Sequence, residues 1–500
     1  MTNELSTPVL PKTAETSPRD YASLGFFSLF FLLLGNSLYH GMQLAFAVSG
    51  IGALLTLLCY LPKPRCAVMT VASLASSLAI FASFALYENS SCAFYKLNAL
   101  FLLLPLFIVS GYGVKAPSLD DFRALLSPYY LFFGENIRAL PFTARSLGKK
   151  NASAGKTVAK ILLAIAFSMP LLTVLTLLLV SADPAFEEFV NRFDLDVGEF
   201  IFTVMVALTV FFCTFPLLFA IRKQELRMQE SAHKPYLSVL DNIITCTVLS
   251  LVTLLYTVFL ATQLSYLIGG FAGLLPEDFT YADYARRGFF EMAVLCAINL
   301  GVIFLAEVFA KRGEDGRVPT AVRILNLCIS LFSLFLIGSA FAKMFLYIRT
   351  YGLTFLRLGT SIYMALLFVV FVSLVLRTFL PRFPVMRTAL VTLCLLMGTF
   401  ALCEPYKIIV DYNMYRYEQT QTLDIYYIAY DCGTYGVEPL IAIASDETAD
   451  EGLRDTAKER LLSWKLHHIA FRTGGVDLRA ESLSRHRAAK ALAEYKYDAK

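Results

Sequence analysis

The segment KMFLYIRTYGLTFLR, residues 343–357, joins two long apolar runs, and its reading decides the fold. The runs on either side, Thr320–Phe341 and Gly359–Leu380, each have about the 20 residues an α-helix needs to cross a bilayer. Between them stand three cations, two tyrosines and a glycine. Lys343, Tyr347 and Tyr351 recur every four residues, so the first helix is expected to continue past the hydrocarbon and end at Gly352. One face of that extension then offers a cation and two rings at headgroup depth.

Working outward, the same apolar pattern recurs along the chain. Runs of spanning length lie at Ala22–Tyr39, Met42–Leu61, Cys66–Tyr87, Leu97–Tyr112, Ala159–Ser181, Phe200–Ile221, Asp241–Leu267, Gly288–Ala310, Thr320–Phe341, Gly359–Leu380 and Val385–Cys403. Composition agrees with this pattern. Of 500 residues 57% are hydrophobic and only 16% charged, with a mean hydropathy of +0.62, which excludes an ordinary soluble protein and makes the lipid bilayer the first partner. A net charge of +4 spread over the whole chain indicates no nucleic-acid partner. The expected fold is therefore all-α: a polytopic integral membrane protein with about eleven transmembrane helices and a small C-terminal helical extramembrane domain. Its first apolar run follows a polar start and lacks a small-residue cleavage pattern, which reads as a retained helix and not a signal peptide.

Orientation follows from lysine and arginine in the connections. Alternate connections carry 23 and 7 of these cations, and the richer side is expected to be the cytoplasm. With eleven spans this predicts a cytoplasmic N-terminal tail (1–21), four spans (22–112), a cytoplasmic amphipathic connection (113–158), a seven-helix transmembrane domain (159–404) and an extracytoplasmic helical tail (405–500). In the long connection, Ser118 with Asp120 and Asp121 starts a short helix that Pro128 stops, either lying on anionic headgroups or forming part of a solvated linker that carries positive-inside charge. AGKT at Ala154–Thr157 lacks the glycine of a phosphate-binding loop, since Lys150 stands there. Pro105, Pro170 and Pro216 each fall within a run and predict kinks.

Candidate binding residues are few. Lys343, Arg349 and Arg357 are external cations; they either pair with acids of Ser181–Glu199 and Glu277–Asp283 and dock the tail, or bind a phosphate or carboxylate ligand. Asp194 and Asp196, two apart in an acidic loop, have the spacing to share a divalent cation, or are acids tolerated on the outer face. Arg286 and Arg287 precede a helix whose Glu291, Asn299 and Glu307 follow at steps of eight, either as a polar pathway or as interhelical hydrogen bonds. No cofactor motif is present, and adjacent His467 and His468 point apart on a helix and make a poor metal pair. Cys92 and Cys432 both face the exterior and are candidates for a disulfide. In the tail, Thr422 is expected to cap a helix with Leu423, Tyr427 and Tyr430 on one face, ended by Gly433 and Gly436. Further amphipathic helices are expected near Leu453–Phe471 and Leu478–Tyr497.

Four motifs in order carry a resemblance: SADPAF at Ser181, YARRGFFE at Tyr284, LYxxxYGLTxLR at Leu346–Arg357 and DYNxYRY with LDxxY at Asp411–Tyr427. They resemble a family of bacterial multi-pass membrane proteins catalogued as a domain of unknown function, number forty-one seventy-three. The resemblance implies a bacterial inner-membrane protein and supplies no activity, substrate or catalytic residue. Where that family has a small apolar run after LDxxY, this chain has GVEPL at Gly436–Leu440.

Three functions fit. One is a structural, sensory or assembly protein of the cell envelope, with an envelope protein or anionic lipid as partner. Another is a transporter or lipid-handling protein, drawing on Glu291, Asn299 and the external cations. The third is a membrane-embedded transferase using a lipid-linked donor; such enzymes carry an acid in the first outer loop, but Asn36–Gly41 has none, so Asp194 or Asp196 would have to serve. Soluble hydrolases and oxidoreductases are excluded by the lack of HExxH, GxSxG and GxGxxG signatures.

Overall fold

Every expected apolar run within the described residues is a helix. In the computed structural model these residues are 14–87, 92–112, 134–147, 197–223, 240–271, 289–313, 318–380, 382–472 and 482–495. In chain order the helices are α1 (Pro18–His40), α2 (Gln43–Tyr60), α3 (Val68–Leu86), α4 (Ala93–Tyr112), α5 (Asn136–Leu147), α6 (Val197–Arg222), α7 (Asn242–Phe271), α8 (Phe289–Phe309), α9 (Thr320–Tyr351), α10 (Phe355–Phe379) and α11 (Val385–Leu402). All except α5 are long and apolar enough to span a bilayer, which makes ten among the described residues. The remaining expected run, Ala159–Ser181, lies outside them, as do Ser118–Pro128, Lys150 and Pro170.

α1 starts where Ser17 and Asp20 form a capping box ahead of Pro18. α9 has 32 residues, about 48 Å at 1.5 Å each, so it outruns a ~30 Å hydrocarbon core as the four-residue recurrence predicted. α7 keeps a broad apolar face outward, with Ile243, Leu251 and Leu255 all more than half exposed, as suits a helix on the lipid side.

Helices in lipid gain little from burying apolar surface against one another, so small residues and interhelical hydrogen bonds set the close crossings. α3 meets α11 in this way. Ser76 Oγ donates to the Cys394 carbonyl at 2.7 Å, and a Cβ at Gly398 would come within 2.7 Å of Ser76 Oγ. Gly398→Val is expected to push these helices apart and lower the thermal midpoint of the purified protein by several degrees, whereas an unchanged midpoint would mean that the crossing yields.

Pro216 lies inside α6 and Pro105 inside α4, as expected. At Pro216 the neighbouring α5 supplies what the helix loses. The Asn136 side chain accepts from Leu217 N–H at 3.1 Å and donates to the Cys213 carbonyl, which is the pair an unbroken helix would join. α5 is seated on α6 through buried Ala139 and Phe142, and its amphipathic face is turned to protein.

After α11 the chain turns at Glu404, whose φ of 47 is unusual for a residue with a side chain. It then forms α12 (Pro405–Thr420), a π turn at Tyr427–Asp431, a 3-10 turn at Gly433–Gly436, α13 (Val437–Ser445), α14 (Glu451–Arg472) and α15 (Leu483–Glu494). Ile428, Leu440, Ile443, Leu461 and Leu492 form the core of this C-terminal bundle. Asp424, not Thr422, caps the segment before the π turn, accepting from Tyr427 N–H at 3.1 Å. The wider π turn also separates two residues expected on one face: Tyr427 points inward, while Tyr430 is exposed.

Candidate functional site

The junction of α9 and α10 holds the opening segment, and the C-terminal domain closes over it. Gly352 ends α9 with φ 82 and ψ 177, a conformation that favours glycine. A Cβ there would also lie 2.5 Å from Asn413 Oδ1. Leu353, the next residue, is buried, and a loop backbone buried at that point must find partners.

Asn413 on α12 supplies both partners. Its Oδ1 accepts from Leu353 N–H at 2.7 Å, and its Nδ2 donates to the Leu353 carbonyl at 2.8 Å. Three residues on, Arg416 reaches the last turn of α9, donating through Nε to the Arg349 carbonyl at 3.0 Å and through a second nitrogen to the Thr350 carbonyl. Tyr427 accepts from Phe355 N–H at 2.7 Å; burial pushes its phenol well above the ordinary range. Thr354 caps α10, accepting from Arg357 N–H at 3.4 Å. Leu353, Tyr406, Ile409 and Val410 pack beneath this layer with Cys92 and Cys432.

Of the residues singled out from sequence, Arg357 lies at the centre. Its guanidinium is 4.2 Å from the centroid of the Tyr347 ring and donates to the Tyr351 carbonyl at 3.1 Å and to the Gly352 carbonyl. Among the described residues the partners of Arg357 are thus carbonyls and a ring; the acids expected beside this segment, at 181–196 and 277–283, lie outside the described residues. The exposed carbonyls of a helix C-terminus carry partial negative charge, so they attract a guanidinium as an acid would. Arg349 is exposed and contributes its carbonyl. Lys343 lies within electrostatic reach of Glu291.

Asn299 is fully buried in α8. It accepts from Tyr256 on α7 and donates to Ser333 Oγ on α9 at 2.9 Å. Here the interhelical hydrogen-bond reading describes what is present: one side chain ties three helices. Glu307, one step of eight on, pairs with Arg312 at 3.9 Å. Arg286, Arg287, Asp194 and Asp196 lie outside the described residues, as do the side chains of His467 and His468.

Sequence reasoning missed Asn413, Arg416 and Tyr427 as site residues, although all three lie in the DYNxYRY and LDxxY motifs. Polar and aromatic motif residues opposite a glycine-ended helix were the available signal.

Cys92 and Cys432 are free thiols in one buried cluster. Burial pushes Cys92 up to about 11 and Cys432 up to about 12, so neither is a thiolate at neutral pH. Iodoacetamide at pH 8 is expected to leave both unlabelled in the folded protein and to label both after denaturation, read by mass-spectrometric peptide mapping. Labelling of either in the folded protein would contradict that packing.

Among the described residues, ten helices of spanning length and a helical domain clamped to their ends define a polytopic α-helical membrane protein. The family model described as Domain of unknown function (DUF4153) matches residues 71–443, well over half of the chain, and the chain belongs to that family. Its number differs from the forty-one seventy-three of the sequence resemblance, and its match begins inside α3, reaching further toward the N-terminus than the four motifs. No curated protein and no solved structure matches the chain.

Proposed function

We propose that this protein is a structural, sensory or assembly component of the bacterial cell envelope, seated in the inner membrane with its N-terminus in the cytoplasm. Its C-terminal domain is the working surface on the outer side. One observation carries this reading: Asn413, Arg416 and Tyr427, from DYNxYRY and LDxxY, clamp that domain through their side chains to the backbone of the α9–α10 junction, where LYxxxYGLTxLR lies. A domain held so firmly presents a fixed face to a partner. That face carries exposed Tyr415, Tyr426 and Tyr430, with Tyr426 and Tyr430 stacked and Arg460 against Tyr430 and Trp464. The excess of cations in alternate connections supports the orientation.

Two measurements test the proposal. A phosphatase that works only outside the cytoplasm, fused after Lys500, is expected to be active, and a cytoplasmic reporter at the same place silent; the reverse would invert the topology. A photo-crosslinker at Tyr415 or Tyr426 in living cells is expected to trap an envelope protein. Removal of residues 405–500 that reproduces the phenotype of the full deletion would support the assignment. A truncated chain that behaves as wild type would end it.

A further inference from the structure

At the end of the bundle opposite the C-terminal domain, α8, α9 and α10 enclose a cavity of about 110 Å³. Its lining includes Arg312, Arg323, Arg377, Glu307, Asn326 and Ser330. Three guanidinium groups therefore stand against one carboxylate among the described residues of the wall. Arg312 is tied to Glu307, 3.9 Å from its carboxylate and 3.2 Å from its carbonyl. Arg323 donates one nitrogen to the Thr378 carbonyl at 2.7 Å, which fixes its head at the wall. Asn326 is only 7% exposed, yet both its amide nitrogen and its amide oxygen are buried with no hydrogen-bond partner among the described residues. A buried amide in that state is unfavourable unless something fills the space beside it.

The geometry points to a binding site for a single phosphate group, held by Arg323 and Arg377 with the Asn326 amide as a neutral donor. Guanidinium groups match phosphate oxygens in pairs, and their charge here exceeds what Glu307 neutralises. At ~30 Å³ per water the cavity holds a few waters, enough room for a phosphate group. Basic pockets between spanning helices at a membrane face take lipid headgroups by this chemistry. Free phosphate offers the same group. This site is remote from the clamped junction and does not rest on the function proposed for it.

The full chain, purified in neutral detergent, is to be titrated with inorganic phosphate at constant ionic strength, with chloride as control. In parallel it is to be reconstituted in phosphatidylcholine bilayers with and without phosphatidylglycerol, with thermal unfolding read in both arms. Stabilisation by at least one probe is expected, with binding weakened about tenfold in Arg377→Gln, the loss of one charge-assisted contact. Phosphate acting alone would assign a soluble ligand, and phosphatidylglycerol acting alone a lipid headgroup. Asn326→Leu is expected to fold at least as stably as wild type without ligand and to bind more weakly, which separates a ligand contact from a packing role. A wild type stabilised by neither probe overturns the proposal. An equal response in wild type and Arg377→Gln does the same.

Discussion

Asn413→Ala is expected to release the C-terminal domain from the spans while leaving the spans folded. The substitution removes one side chain and leaves two buried backbone groups, the N–H and the carbonyl of Leu353, without the partners that satisfy them. Each such group costs about 1–3 kcal/mol when left unpaired. The domain would relieve that cost by lifting and admitting water, giving up the packing of Leu353, Tyr406, Ile409 and Val410. Limited proteolysis should then cut between α11 and α13 much faster than in wild type, and the amides of Leu353 and Phe355 should lose protection from hydrogen exchange together. Asn413→Asp keeps the acceptor for Leu353 N–H but loses the donor, so an intermediate effect is expected. If Asn413→Ala is cut no faster than wild type, the two hydrogen bonds do not hold the domain.

Gly352→Ala probes the same clamp from the other side. The methyl group meets Asn413 Oδ1 at 2.5 Å, and the backbone is held at φ 82. The two substitutions should therefore couple strongly: in the absence of Asn413 the alanine loses its main clash and retains only its backbone strain.

Most of the spans were legible because apolar length is a sequence property that lipid enforces without help from tertiary context. The end of α9 was legible too, since Lys343, Tyr347 and Tyr351 kept a helical recurrence up to a glycine that stops it. α12 was not, because its tyrosines and charges alternate without a clean apolar stripe. Its helix is supported by Pro405 at the first turn and by Ile409, Val410 and Asn413 turned toward the spans. The partners of Arg357 escaped for a different reason. A sequence advertises the charge of acidic side chains, but it does not advertise carbonyls left unbonded where a helix stops, and these are what Arg357 binds. α5 was hidden likewise: only the kink at Pro216 makes a place for Asn136, and nothing near Asn136 in sequence announces that distant gap.

Asp20→Asn is the other change with a large expected effect, at the end of the bundle away from the C-terminal domain. The Asp20 carboxylate is fully buried, 2.8 Å from Lys223 and 3.2 Å from Arg222. It also accepts from Tyr60 at 3.0 Å and from the amide of Ser17 at 2.7 Å. One side chain therefore joins the start of α1, the end of α2 and the end of α6, while Arg222 lies against the Tyr60 ring. Asparagine has nearly the same shape, but it removes the charge and turns one acceptor into a donor facing donors. Arg222 and Lys223 would be left as uncompensated, mostly buried cations, a state that costs about 3–5 kcal/mol. The capping box at Ser17 would also be weakened. The expected result is a markedly lower thermal midpoint in detergent and faster hydrogen exchange through the first turns of α1, with Asp20→Glu recovering part of the loss. Because the penalty comes from the stranded cations, Asp20→Asn combined with Lys223→Met should cost less than the sum of the two single changes. Strict additivity would mean that the carboxylate acts only as a helix cap, and that α1 is held to α6 by packing alone.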